Sequence, residues 1–361
     1  MYLKNLSLNN FRNFESYDTE LCDKINCFIG DNGIGKTNIL DAIHYLSLCK
    51  SFLPTNDKNT IKYGEQFFLL KGDFELNNKL EKISCNFIKD KKKTVKRNDV
   101  EYEKLSEHIG LIPIVFSTPY DSNLIHLGSD SRRKFIDIII SQFDKIYLKN
   151  LIDYNKVLEN RNILLKQYYD KKIDYINLES WDHILIEKGN YIFNKRKEFS
   201  TEIIDIFTNY YNKISNFNEE ANLIYQSQLL DDNFETNLKT NFLKDIKFGY
   251  TTVGIHKDDF LFLLNNEPIR KNGSQGQQKS FIISLKFSQF DYIKKKLNIA
   301  PILLLDDIFD KLDKKRVTII SELVSNENFG QIFVSDTSQT RMPNILQNIN
   351  INNKIINLSE K

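Results

Sequence analysis

Gly30-Asp-Asn-Gly-Ile-Gly-Lys-Thr37 decides the fold of this chain. It matches G-x-x-x-x-G-K-T, a glycine-rich loop whose backbone N–H groups can approach phosphates closely. Its context is the one that chemistry needs. Ile25, Cys27 and Ile29 alternate with polar neighbours just before it, as a strand does. Ile39, Leu40, Ile43 and Leu46 follow at helical spacing, so the loop opens a helix whose N-terminus adds partial positive charge. The segment Gly30, Asp31, Asn32, Gly33, Ile34, Gly35, Lys36, Thr37 and Asn38 is therefore read as an ATP site. Lys36 is expected to reach the β- and γ-phosphates, and the Thr37 hydroxyl to coordinate Mg²⁺.

Moving outward, Pro301-Ile-Leu-Leu-Leu305 runs into Asp306 and Asp307, and Gln331-Ile-Phe-Val334 is a second continuous apolar run. Runs of this kind suit parallel strands buried on both faces. Two acids at the end of a buried strand are costly unless they meet a cation. Asp306 is expected to hold Mg²⁺, and Asp307 to polarise the attacking water. Thr37 and Asp306 lie 269 positions apart, yet both must meet at one metal. A segment is therefore inserted between two halves of one α/β ATPase domain.

The middle third supplies the insertion. From Ser131 onward Phe135, Ile138, Ile139, Phe143, Leu148, Leu151, Ile152 and Leu158 fall at three- and four-residue steps, as do Trp181, Ile184, Leu185, Ile192, Phe199, Ile203, Phe207 and Tyr210. A short helical hairpin fits this pattern. The boundaries expected from texture are 1–117 for the first ATPase half, 118–248 for the helical insertion and 249–361 for the second half. Residues 60–104 read as short antiparallel strands, with a turn at Asn98-Asp99.

The 361 residues are 41% hydrophobic and 27% charged, which suits a globular protein. The formal net charge is +2, so any polyanion site must be a local patch. Cys22, Cys27, Cys49 and Cys85 make neither a CxxC pair nor a zinc pattern, and read as reduced thiols. The longest apolar runs are too short to span a bilayer, and no signal-peptide pattern opens the chain. A cytoplasmic protein is expected.

Ser274-Gln-Gly-Gln-Gln278 precedes an apolar helical stretch shortly before the second acidic strand. It reads either as a helix cap with a flexible lead-in or as a second phosphate-receiving helix start. Its place favours the latter, because ABC-type ATPases carry their signature helix there. Two basic groups complete the inventory. Lys89, Lys91, Lys92, Lys93, Lys96 and Arg97 cluster on expected strands, and Arg132 and Arg133 open the first middle helix with Lys134. Each group reads as a solvated face or as a source of DNA phosphate contacts. For Arg132 and Arg133 a third reading is that they hold the domains together.

Taken together the motifs resemble the RecF family, bacterial recombination mediators related to SMC proteins within the ABC ATPases. The resemblance runs nearly end to end. It rests on Asn10-Phe-Arg-Asn13, Gly35-Lys-Thr-Asn-Ile-Leu-Asp-Ala-Ile43, Lys50-Ser-Phe52, Ser131-Arg-Arg-Lys-Phe-Ile-Asp137, Glu159-Asn-Arg-Asn162, His256-Lys-Asp-Asp259, Ser274-Gln-Gly-Gln-Gln278 and Leu303-Leu-Leu-Asp-Asp307. It implies a head-to-head homodimer with two ATP molecules between protomers. Each ATP would be held by the P-loop of one chain and by Ser274, Gly276 and Gln277 of the other, with Asp310 to Asp313 as the D-loop. It also implies weak ATP hydrolysis acting as a switch, and recognition of duplex DNA or single/double-strand junctions. The implied partners are RecR and RecO, and the implied task is loading RecA on single strands in recombinational repair and replication. The match is imperfect at two places. The second acid is Asp307 where ABC proteins usually carry Glu, and Ser335-Asp336 stands where a switch His is common. Two rival readings remain, a transporter ATPase subunit and a P-loop nuclease-like protein. The first expects a shorter spacing between Thr37 and Asp306. The second expects a further acidic metal-binding domain, which does not follow Asp336 in this sequence.

Overall fold

A computed structural model describes residues 1–53, 55–167, 176–215, 219–230, 233–309, 312–324, 329–347 and 351–358. The chain divides into two compact units. One comprises Met1–Asp121, Lys213–Asn216 and Gln275–Lys361, and the other Ser122–Asn212 and Phe217–Ser274.

The first unit holds two sheets. One is antiparallel, in the order β2-β1-β4-β5-β6-β7, built from β1 (Tyr2–Phe11), β2 (Phe14–Glu20), β4 (Phe67–Leu76), β5 (Lys79–Ile88), β6 (Thr94–Arg97) and β7 (Val100–Glu101). Asn98 and Asp99 take positive φ between β6 and β7, the turn expected from the sequence. The other sheet is parallel throughout, in the order β14-β3-β13-β12-β8. Its strands are β3 (Ile25–Ile29), β8 (Ile114–Ser117), β12 (Ile302–Asp306), β13 (Ile332–Asp336) and β14 (Asn353–Asn357). All residues of β3, β8, β12 and β13 are buried, which explains the continuous apolar runs Ile302–Leu305 and Ile332–Val334. Helix α1 (Lys36–Leu48) touches β1, β4 and β5 on one side and β8, β12 and β13 on the other, so it lies between the sheets. That position accounts for the burial of Ile39 through Leu48 without a polar face.

The second unit contains α2 (Asn123–His126), α3 (Ser129–Ser141), α4 (Lys145–Gln167), α5 (Ile176–Ser215), α6 (Phe234–Thr240), α7 (Phe242–Phe248) and α8 (Ile269–Asn272). It also holds a small antiparallel sheet in the order β11-β10-β9, with β9 (Ala221–Gln226), β10 (Asp259–Leu264) and β11 (Glu267–Pro268). Helices α4 and α5 form the expected hairpin. Arg161 Nε donates to Asp182 at 2.5 Å and Arg196 Nε to Tyr147 Oη at 3.2 Å, pairings that run in opposite directions along the two helices. Along α5 the buried positions Leu178, Asp182, Leu185, Gly189, Ile192, Arg196, Phe199 and Ile203 alternate in steps of four and three. This is a heptad seam with charged residues in it.

The second boundary differs from the sequence expectation. Residues 249–274 belong to the inserted unit, and the ATPase half resumes with α9 (Gln275–Leu297) rather than at 249. The strand texture after Gly249 belongs to β10, which pairs with β9 inside the insertion and not with the parallel sheet. The remaining helices of the first unit are α10 (Lys314–Val324) and α11 (Arg341–Gln347).

Candidate functional site

The parallel register brings three strand ends side by side. Ile29 pairs with Asp336, and Ser335 with Asp306. The carboxyl end of such a sheet is where α/β folds bind ligands. Residues 30–35 leave β3 and enter α1 there. Gly35 is the N-cap at φ +117°, and a Cβ on it would lie 2.7 Å from the Phe14 ring and 2.8 Å from Asn13 Nδ2, so no larger residue fits. No side chain caps α1, which leaves its first-turn N–H groups directed along the helix axis at the loop. Lys36 is buried, with Nζ donating to the carbonyls of Gly30 at 2.7 Å and Asp31 at 2.9 Å, which centres the ammonium within the loop.

Across the sheet, the Thr37 hydroxyl lies 3.0 and 2.9 Å from the two carboxylate oxygens of Asp306. Asp306 Oδ1 also accepts a bond from Ser335 Oγ at 2.6 Å, and the Asp307 N–H donates to the same hydroxyl at 3.0 Å. Burial raises the Asp306 pKa above the ordinary carboxylate value, while the Ser335 and Thr37 hydroxyls oppose the rise. Asp307 is held at φ +45°, a left-handed conformation that aspartate tolerates better than most side chains, and its carbonyl accepts from Lys279 Nζ at 3.3 Å. A hydroxyl and a carboxylate converging beside an ammonium and a helix N-terminus form a donor set for a hard cation and a polyphosphate. Residues Gly30 through Asn38 and Asp306 are thus brought to one place.

A second layer fixes this loop. Asn13 Nδ2 donates to the Ile34 carbonyl at 2.8 Å, and Asn38 Nδ2 donates to Asn13 Oδ1 at 2.8 Å. Arg12 binds Asp41 at 3.0 Å and Ser51 at 2.8 Å, and Asp41 also accepts from the Phe52 N–H at 2.7 Å. The Asn10–Asn13 and Lys50–Phe52 motifs are therefore braces on α1.

The family model described as AAA ATPase domain matches residues 1–361. The DNA replication and repair protein RecF of Flavobacterium johnsoniae is 46% identical over 99% of this chain and all of its own length. That of Bacteroides thetaiotaomicron is 42% identical over the whole chain and 97% of its own length. A solved structure described as the recombination mediator protein RecF-ATP in the RecFOR pathway superposes with a TM-score of 0.87 at 31% identity, covering 94% of this chain and 93% of that one. The chain belongs to the RecF family. An SMC head bound to the C-terminal winged-helix domain of ScpA shares the fold, with a TM-score of 0.55 at 16% identity over 95% of this chain and 92% of that one. The architecture is an ABC-type ATPase domain split by a mainly helical insertion, as the motif spacing indicated.

Other expected RecF-family positions fall in different places. Ser274 is exposed immediately before α9, and Gly276 and Gln277 are half-buried in its first turn. A Cβ on Gly276 would meet Arg316 Nη1 at 2.6 Å, so this glycine makes room for a guanidinium. Asp310 lies outside the described residues. Asp313 caps α10 by accepting the Arg316 N–H at 2.9 Å.

The basic residues need correction. Lys91 and Lys92 are exposed on the turn between β5 and β6 rather than on a strand. Lys93 is not a surface charge: its Nζ binds Asp57 at 2.8 Å, the Cys49 carbonyl at 2.6 Å and Tyr45 Oη at 3.0 Å. Arg132 grips both carboxylate oxygens of Asp259 at 2.7 and 2.9 Å, and Arg133 donates to the Asp258 carbonyl and to Ser129 Oγ, both at 2.7 Å. These arginines tie α3 to β10 and the residue before it within the inserted unit, Arg132 by a carboxylate pair and Arg133 by hydrogen bonds. The His256-Lys-Asp-Asp259 motif supplies the acceptors. His256 bonds Tyr154 Oη through Nδ1 at 2.8 Å and the Thr251 carbonyl through Nε2 at 3.0 Å. Burial drives its pKa down to about 4, so it is a neutral structural imidazole at pH 7. Sequence reasoning placed Ser335 where a switch His is common but gave it no role, because its bond to Asp306 depends on the strand order.

Proposed function

We propose that this chain is an ATP-dependent DNA-binding protein of replication and recombinational repair, acting as an ATP-induced homodimer on duplex or gapped DNA. The observation that carries this reading is the meeting of Thr37 and Asp306 across 269 positions, at the end of the loop that centres Lys36. In the proposed site Gly30–Asn38 holds the triphosphate, Thr37 and Asp306 hold Mg²⁺, and Asp307 polarises the attacking water. Asp307 is one methylene shorter than glutamate, which suits slow hydrolysis used as a release switch. Ser274, Gly276 and Gln277 of a second copy close the same nucleotide from the other side. RecR and RecO cooperate in the loading of RecA on single strands, by analogy with the RecFOR pathway named for the similar RecF structure. The transporter reading expects a shorter spacing than the 269 positions between Thr37 and Asp306. Among the described residues no helix is long and apolar enough to cross a membrane.

The test is fluorescence anisotropy on duplex, gapped and single-stranded DNA over a salt series, with and without Mg-ATP. Dimerisation places two copies of Lys91 and Lys92 on one DNA, so ATP steepens the salt slope by about 0.9 per added phosphate contact on duplex. Lys91→Ala with Lys92→Ala flattens that slope and leaves ATP affinity unchanged. Equal slopes with and without ATP would refute the ATP-gated clamp.

A further inference from the structure

We infer that the inserted unit carries a binding site for single-stranded nucleic acid, made of the Phe248–Tyr250 ring pair and four surrounding lysines and working without nucleotide. Phe248 and Tyr250 are 50% and 42% exposed, although both are aromatic. Their ring centroids are 5.8 Å apart with planes at 33°. The neighbouring Leu243 is 78% exposed. Lys257 Nζ sits 4.8 Å from the Tyr250 ring centroid. Lys244 and Lys247 are exposed on α7. Exposed Lys166 packs its stem near Gly249, 3.4 Å from where a Cβ would be. From Phe242 to Lys257 the only acid is Asp245, and it is fully buried against Arg161. Within this segment every exposed charge is therefore positive.

The platform is also rigid. Gly249 at φ +69° ends α7 and sets Phe248 and Tyr250 on either side of a tight turn. Beneath them Asp245 accepts from Arg161 at 2.7 Å and from the Thr252 N–H at 2.8 Å. Asn162 Oδ1 accepts the Thr251 N–H at 2.7 Å, and Arg161 reaches Thr251 Oγ at 2.9 Å. The Arg161-Asn162 pair and His256 are thus the foundation of this surface, a role that the nucleotide site does not give them.

A fixed pair of exposed rings ringed by ammonium groups matches the chemistry of unpaired bases on a phosphate backbone. Bases stack on the rings without sequence preference, and the lysines track the phosphates. Duplex does not fit, because its bases are already stacked and shielded. A protein interface or a lipid surface is a poorer match, since the segment exposes three large apolar side chains, Leu243, Phe248 and Tyr250, too few for a sizeable apolar patch. This site is additional to the ATP-gated duplex contacts proposed above and does not depend on them.

The experiment uses the full chain without nucleotide and a labelled oligothymidylate of about 20 nucleotides, read by anisotropy. Phe248→Ala with Tyr250→Ala is expected to weaken binding about tenfold or more, and Phe248→Tyr to retain it. An abasic oligomer of equal length is expected to bind the unaltered protein as weakly as oligothymidylate binds the double variant. Lys244→Ala with Lys247→Ala lowers the salt slope by about 0.7 per lost contact. Wild-type oligothymidylate affinity in the ring variant, or equal binding of the abasic and oligothymidylate strands, overturns the inference. The ATP-dependent gain on duplex is read in the same preparations, so either proposal can fail alone.

Discussion

Replacing Ser335 by alanine isolates the link between strand β13 and the proposed metal ligand. The wild-type hydroxyl is fully buried, donates to Asp306 at 2.6 Å and accepts from Asp307 N–H at 3.0 Å. Ser335→Ala therefore removes one hydrogen bond to a carboxylate and one accepted from a half-buried amide. Each loss costs about 1–3 kcal/mol, so a destabilisation of about 3 kcal/mol is expected. Partners that orient a metal-binding side chain contribute about 10–100-fold to metal affinity when they are removed. The Mg²⁺-dependent part of ATP affinity should fall by that factor, while ATP affinity in EDTA stays the same. The acid limb moves as well. Burial holds the Asp306 pKa up and the Ser335 bond holds it down. Losing that bond raises the pKa further, and Mg²⁺-dependent binding is lost at a higher pH than in the wild type. Calorimetric titrations with Mg-ATP and with ATP in EDTA, repeated from pH 7.5 down to pH 5, measure all three effects. Unchanged Mg²⁺ dependence together with an unmoved acid limb would refute the placement of the metal at Thr37 and Asp306.

Arg161→Ala leaves Asp182 and Asp245 buried without their cation, and should destabilise the inserted unit by about 3–5 kcal/mol, seen as a lower denaturation midpoint of Trp181 fluorescence with Mg-ATP affinity unchanged. His44, buried between Phe52 and Phe116, has its pKa depressed to about 4 by burial. The unfolded chain takes up that proton near pH 6.5, so stability is full above that pH and falls by about 3 kcal/mol as pH drops toward 4. His44→Gln should flatten this part of the stability–pH curve, and a curve of unchanged steepness would show that another group controls it.

The proposed nucleotide site is legible in the sequence because its chemistry is local. A glycine-rich loop between a strand and a helix, and an apolar run closing on Asp306 and Asp307, are each legible within ten residues. The split domain followed from distance alone, since Thr37 and Asp306 had to meet. What stayed hidden depended on long-range pairing. Lys93, Arg132 and Arg133 looked like surface cations, because Asp259, which pairs with Arg132, and the Asp258 carbonyl, which accepts from Arg133, stand far along the chain, and Asp57 is brought to Lys93 only by the folded loop. The end of the insertion was placed at 249 because strand texture says nothing about which sheet a strand joins. β10 follows the helical region and looks like a return to the ATPase core, yet its partner is β9. The heptad seam of α5 was obscured for a physical reason too. Asp182, Gly189 and Arg196 occupy core positions, and a search for apolar periodicity passes over them.

The same topology explains how one domain tolerates so long an interruption. β8 and β12 are hydrogen-bonded neighbours in the parallel sheet, although the whole insertion lies between them in sequence. The chain leaves the sheet after β8 and returns through α9, so those two points need a connection that does not rely on the inserted unit. Lys286 provides it. From the buried face of α9 its ammonium donates to the Phe116 carbonyl at 2.7 Å and pairs with Asp121 at 2.8 Å, and Asp121 in turn accepts the Thr118 N–H at 2.7 Å. Both charges are buried, and burial alone pushes the Asp121 pKa up against the pull of Lys286. Such a pair adds little net stability over an apolar contact, but leaving either charge alone is costly, so it fixes which part of α9 meets the end of β8. Lys279, two turns earlier on α9, reaches the Asp307 carbonyl and so ties the proposed signature segment to the end of β12. The register of α9 against the sheet therefore sets where Gly276 and Gln277 stand relative to Asp306 and Asp307. That coupling places the two halves of the proposed composite site under the control of one helix.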